Sequence, residues 1–183
     1  QFINNAQIFA TNADISFAAS FNDRFFLAPG EVQIKDIYNM YRYENFLYVI
    51  EMTGQEIKDY LEYSSNYFQY DSIRNRIIIN PEMAGYNYDM AEGLAYEIDA
   101  TKQAGNRIRK LMFIKTGLPL NKSETYRVAL NSYRASGGGG HLATAGIKKS
   151  KIIWKSNKEI RNILIDYIQA SGNIETQVDN NWQ

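Results

Sequence analysis

The chain has 183 residues, enough for one compact core and short of two, and its 20 Lys and Arg balance 20 Asp and Glu to a formal charge of zero at pH 7. A neutral chain has no basic field with which to hold a phosphate backbone or an anionic membrane, so a nucleic acid polymer and an acidic lipid surface are not expected partners. Cysteine is absent and histidine occurs once, which excludes a disulfide framework, a thiol nucleophile, a Cys-based zinc site and a dinuclear metal centre built by this chain alone. A hydrophobic share of 45% and a charged share of 22% suit a globular protein. The distinctive feature is 14 Tyr with 9 Phe and 2 Trp, rings that suit surfaces gripping flat ligands.

The chain opens on Gln1-Phe2-Ile3-Asn4-Asn5, with no initiator Met, basic leader or apolar leader core, so an export signal or upstream domain is expected to precede it. Phe2, Ile3, Ala6, Phe9 and Ala10 recur at helical spacing and predict an amphipathic helix over residues 2–12. Residues 13–20 read as a strand with Ile15 and Phe17 on one face, and Pro29-Gly30 marks a turn. Val32, Ile34, Ile37, Tyr38 and Met40 suit a second helix. Residues 46–52 form a dense apolar run, read as a buried strand, and Thr53 with Glu56 makes the capping-box pattern of a helix start. Ile57, Tyr60, Leu61 and Ser64 give that helix its inward stripe.

Residues 66–89 hold no sustained period and read as a long excursion with one short strand at 76–79. Residues 94–99 and 108–114 alternate around Ala104-Gly105-Asn106, which predicts a hairpin. A strand at 126–130 feeds directly into Gly137, Gly138, Gly139 and Gly140, and residues 157–170 predict an amphipathic helix ending at Gly172. Interspersed strands and helices with a hairpin give an α+β class, a mixed β-sheet layered with helices. The longest apolar runs fall far short of the ~20 residues of a membrane span.

Four glycines after a strand put bare backbone where Cβ atoms would otherwise exclude a ligand, or else form a flexible loop that makes no ligand contact. Gly138, Gly140 and Ala143 formally match a dinucleotide fingerprint, but no βαβ unit surrounds them and no helix is expected at His141. Tyr43, in a polar turn before one strand, and Tyr133, between a strand end and the glycines, are placed to clamp a planar group, though rings at such positions also serve as plain packing. Asn45 carries both a donor and an acceptor for the edge of such a group. His141 either donates to a phosphate or ribose oxygen or is a partly exposed structural residue. Asp99, Arg107 and the aromatics between Tyr63 and Tyr70 read as turn and core residues.

These residues resemble one family. The stretch Tyr41-Arg42-Tyr43-Glu44-Asn45-Phe46-Leu47 through Thr53-Gly54, followed by Ile57 and Leu61, is similar to the C-terminal domain of 5'-nucleotidases and 2',3'-cyclic-nucleotide 2'-phosphodiesterases. Asp99-Ala100-Thr101-Lys102 through Gly105-Asn106-Arg107-Ile108 resembles that family's turn, Tyr126 through Tyr133 with the glycines resembles its nucleoside-binding loop, and Ala13-Asp14-Ile15-Ser16 resembles a strand of its phosphodiesterase branch. The resemblance implies that residues 1–183 form a nucleotide-binding C-terminal domain with that fold. Its partner would be a metallophosphatase domain, in cis or on a separate chain, holding two divalent metal ions, so that no cofactor is bound by this chain itself.

It further implies a nucleoside or nucleotide ligand stacked between Tyr43 and Tyr133, contacted by Asn45 and bordered by Gly138 and Gly139, with no catalytic residue here and a periplasmic or extracellular location. Two departures set this chain apart. Phe17-Ala18-Ala19-Ser20 stands where many 5'-nucleotidases carry a glycine-rich segment ending in arginine, and Gly139 stands where they carry an aspartate for the ribose hydroxyls. Both departures look like the phosphodiesterase branch, or like a relative whose grip on the ribose is weaker. A carbohydrate- or protein-binding module using the Tyr-rich surface is the reading from another class.

Overall fold

The structure is a computed structural model that describes residues 1–22, 24–174 and 179–183. In chain order, α1 (Phe2–Thr11), β1 (Ile15–Ala19), α2 (Ile34–Met40), β2 (Phe46–Thr53) and α3 (Gly54–Ser64) are followed by the β3 (Phe68–Asp71) and β4 (Arg76–Ile79) hairpin. Then come β5 (Asp89–Glu92), β6 (Leu94–Ile98), β7 (Ile108–Phe113), β8 (Leu118–Pro119) and β9 (Thr125–Asn131). The one-turn helices α4 (Ser132–Ala135) and α5 (His141–Thr144), strand β10 (Ile152–Glu159) and α6 (Ile160–Ser171) complete the order.

The central sheet runs β10-β2-β9-β1-β5, with β1 and β9 parallel and the other pairs antiparallel; β6-β7-β8 and β3-β4 form separate small sheets. Alternate side chains of a strand leave opposite faces. On β2, Ile50 and Met52 join Ile57, Tyr60 and Leu61 of α3 on one side, while Leu47 joins Ala6 of α1, Ile37 of α2 and Ile163 and Leu164 of α6 on the other. β9 divides likewise, sending Val128 and Leu130 to the first side and Ala129 to the second. A sheet covered on both faces explains why β2 reads as an unbroken apolar run, and each such Leu, Ile or Val contributes about 1.5–3 kcal/mol by leaving water.

The α3 capping box forms as expected, with Thr53 Oγ1 accepting from Glu56 N at 3.2 Å and Thr53 N donating to Glu56 Oε2 at 2.7 Å. The 94–99 and 108–114 hairpin also forms, as β6 and β7. Several expectations are corrected. The 66–89 excursion holds a two-stranded ribbon rather than one strand, because β3 pairs with β4. The last helix starts at Ile160 and not at 157, since residues 152–159 are taken up by pairing with β2. A helix does open at His141, but it is four residues long. On α2 only Ile37 turns inward; Ile34 is exposed, and Tyr38 instead receives the Arg161 guanidinium over its ring at 4.4 Å. No helix among the described residues is long and apolar enough to cross a membrane.

Candidate functional site

Register brings the predicted residues to one end of the sheet. Leu47 pairs with Asn131 across β2 and β9, so the turn before β2 lies beside the turn after β9, and Ser132 Oγ accepts from Phe46 N at 3.1 Å to join them. The parallel β1 ends at the same level, and its Ala19 pairs with Asp89 at the start of β5. Two strands therefore finish where two others begin, and four loops meet there. Between them is a cleft of about 280 Å³ lined by Phe21, Tyr43, Asn45, Tyr86, Asn131, Tyr133 and Arg134. This lies near the lower end of the roughly 300–1,000 Å³ of small-molecule sites.

Tyr43, Asn45 and Tyr133 are thus gathered in one cleft. Tyr43 keeps 43% and Tyr133 48% of its surface exposed, so both rings are open to a ligand and neither is core packing. Phe21 braces Tyr43 edge-on, with centroids 5.5 Å apart at 77°. Asn45 Nδ2 donates to the hydroxyl of the buried Tyr41 at 3.3 Å, which fixes the amide and leaves its carbonyl oxygen and second N–H available. Burial pushes the Tyr41 phenol above its usual range, so it stays neutral. The strand predicted at 126–130 stops short of Asn131, which is the last residue of β9; its side chain caps α4 by accepting from Arg134 N at 2.9 Å.

Gly138 and Gly139 stand behind this wall. What comes close to the glycines is the chain itself. A Cβ on Gly138 would sit 2.5 Å from the Tyr133 ring, one on Gly139 would overlap Nη1 of Arg134, and one on Gly140 would lie 2.9 Å from the Tyr63 hydroxyl. Gly139 and Gly140 also hold φ of 74° and 81°, a region L side chains resist. No aspartate could replace Gly139 here without displacing the guanidinium.

Beneath the cleft lies a buried ionic cluster that the sequence did not reveal. Asp89 accepts from Arg134 Nε at 2.8 Å, from Arg134 Nη2 at 3.1 Å and from Tyr60 Oη at 2.5 Å, and the two charged side chains are 1% and 2% exposed. Burial and then the Asp89 charge push the Tyr60 phenol well up. Burial alone would lower the Arg134 pKa, but the Asp89 carboxylate reverses this and raises it. His141 is fully buried rather than partly exposed, because α5 turns it inward between Tyr60 and Tyr63. Burial lowers its pKa to about 4 against the pull of Asp89, whose Oδ2 is 4.0 Å from Nε2. The ring is therefore neutral near pH 7 and forms no ion pair. Backbone groups of Asn87 and Gly139 favour the protonated form weakly, yet neither ring nitrogen has a hydrogen-bond partner of good geometry among the described residues.

Asp99 and Arg107 hold turns, as expected. Asp99 Oδ1 accepts from Thr101, and Arg107 donates to the carbonyls of Lys102, Ser65 and Phe68. A larger hollow of about 510 Å³ lies beside α1 and β7, among Ile8, Phe9, Asp14, Phe113, Lys115 and Tyr167. None of the sequence-predicted residues lines it, and Asp14 and Lys115 pair there at 3.7 Å. Among the described residues, no three of His, Asp and Glu converge as metal ligands.

Known proteins share this chain's sequence and shape. It is 34% identical over 173 residues to the trifunctional nucleotide phosphoesterase protein YfkN of Bacillus subtilis, covering 85% of this chain and 11% of that protein. It is 32% identical over 174 residues to the 2',3'-cyclic-nucleotide 2'-phosphodiesterase/3'-nucleotidase of Salmonella typhimurium, covering 84% of this chain and 26% of that protein. The chain thus spans about a quarter or less of these relatives. The solved 5'-nucleotidase precursor of Thermus thermophilus shares the fold, with a TM-score of 0.79 at 21% identity over 100% of this chain and 34% of that one. The profile described as 5'-nucleotidase, C-terminal domain matches residues 1–146, a span that includes the cleft and the glycine run, and on that match the chain belongs to the 5'-nucleotidase C-terminal domain family.

Proposed function

We propose that this chain is the nucleoside-recognition lobe of a metal-dependent nucleotide phosphohydrolase, a 5'-nucleotidase or a 2',3'-cyclic-nucleotide 2'-phosphodiesterase. The observation that carries this reading is that Tyr43 and Asn45, from the turn before β2, and Tyr133, from the turn after β9, line one cleft although the two turns lie far apart in the chain. A base inserted between the two rings gains about 1–3 kcal/mol per stack, and the Asn45 carbonyl and free N–H meet its polar edge. Gly138 and Gly139 support the wall by admitting the Tyr133 ring and the Arg134 guanidinium.

The described residues do not fit the two-metal centre that the resemblance implies, so no bond-breaking step is assigned to them. That centre belongs to a metallophosphatase domain in cis or on a separate chain, and this lobe contributes position rather than protons. The same resemblance supports a location in the periplasm or outside the cell. Calorimetric titration with adenosine, AMP and an oligosaccharide tests the assignment. The nucleosides are expected to bind, and Tyr133→Ala should weaken adenosine by about 1–3 kcal/mol. Binding of the oligosaccharide alone would make the chain a carbohydrate module, and unchanged adenosine binding in Tyr133→Ala would remove the clamp.

A further inference from the structure

Among the described residues that line the cleft one is a cation, Arg134, and a nucleotide offers a phosphate to meet it. The hydrogen bonds of the guanidinium rule that pairing out. Arginine carries five N–H donors, and all five are engaged. Nε donates to Asp89 Oδ2 at 2.8 Å, Nη2 to Asp89 Oδ1 at 3.1 Å and to the Tyr86 carbonyl at 2.7 Å, and Nη1 to Asn87 Oδ1 at 3.1 Å and the Gly138 carbonyl at 3.3 Å. The bidentate Asp89 carboxylate also neutralises the charge inside the protein. Nothing remains to offer an anion.

The five acceptors show what the side chain does instead. Two of them are carbonyls at the cleft wall. One belongs to Tyr86, whose ring lines the cleft with 45% of its surface exposed. The other belongs to Gly138, against which the Tyr133 ring lies. Tyr86 lies in the single 3-10 turn Gly85–Asn87 before β5, and the guanidinium joins its carbonyl to that of Gly138 in the glycine run.

We propose that Tyr86 is a third ligand-contacting ring of the cleft, and that Arg134 is a positioning residue which holds Tyr86 and Gly138 in place rather than a phosphate contact. This inference rests on the nucleoside reading above. It assigns the cleft to the neutral part of the ligand and leaves the phosphate outside, facing whatever acts on it.

Titration of the 183-residue chain with adenosine and with AMP tests it, using wild type, Tyr133→Ala, Tyr86→Ala and Arg134→Lys. Tyr86→Ala should weaken both ligands alike by about five-fold or more, with the urea unfolding midpoint unchanged because the ring is exposed. Arg134→Lys keeps the charge but has three donors, and it too should weaken both ligands by one common factor. Loss of AMP affinity with adenosine affinity intact in Arg134→Lys would show a phosphate contact and overturn the positioning role. Wild-type affinity in Tyr86→Ala overturns the third ring, and this variant decides the matter if Arg134→Lys does not fold. Unchanged binding in Tyr86→Ala alongside weakened binding in Tyr133→Ala sinks only this inference. A wild-type chain that binds neither ligand sinks it together with the assignment of the cleft.

Discussion

Replacing Asp89 by Asn probes the cluster on which the cleft rests. The side chain is 1% exposed and accepts three hydrogen bonds, two from Arg134 and one from Tyr60. An amide of the same shape keeps one oxygen as an acceptor and turns a donor towards the remaining N–H and O–H groups, leaving the guanidinium charge buried without its counter-ion. Removing one partner of a buried pair costs about 3–5 kcal/mol. The amide nitrogen loses one of these bonds at the Oδ1 position and two at the Oδ2 position, and at about 1.5–3 kcal/mol each the loss of about 1.5–6 kcal/mol brackets that range. With a urea dependence of about 2–3 kcal/mol per molar, the unfolding midpoint should fall by roughly 1–2 M. Tyr60→Phe removes one donor and leaves the ion pair intact, so its cost should stay near 1–2 kcal/mol. A loss below about 1 kcal/mol in Asp89→Asn, or equal losses in the two variants, would refute the claim that an uncompensated charge is what matters.

Acid should destabilise the fold through His141. Its pKa is about 4 in the folded chain and 6.5 when free, so below pH 6.5 the unfolded chain takes up a proton that the folded chain refuses; stability is complete above pH 6.5 and is lost as pH falls towards 4. The difference is worth about 3 kcal/mol at the acid end, and His141→Phe should flatten the fall in urea midpoint between pH 7 and 4.5, whereas identical falls in both proteins would exclude the histidine as its source. Thr53→Ala removes the Oγ1 that caps Glu56 N and should lower the unfolding free energy by about 1 kcal/mol by the same urea assay, while leaving adenosine affinity unchanged because α3 lies outside the cleft lining.

Where structure follows from near neighbours, the sequence was sufficient. The period of α1, the apolar run of β2, the Thr53 and Glu56 cap and the β6–β7 hairpin each depend on residues a few positions apart, and each formed. The motif order pointed to Tyr43, Asn45 and Tyr133. Strands β5 and β10 carry no such signal. Asp89–Glu92 becomes a strand because it pairs with β1, and the polar residues of β10 do so because they meet β2, which also moved the start of the last helix to Ile160. The burial of His141, the Asp89–Arg134 pair and the arrival of Phe21 and Tyr86 beside the two predicted tyrosines are of the same kind. Side-chain periodicity is set along the chain by bond geometry, but which loops share a cleft depends on the register of strands far apart in sequence, and that register exists only once both faces of the sheet are covered.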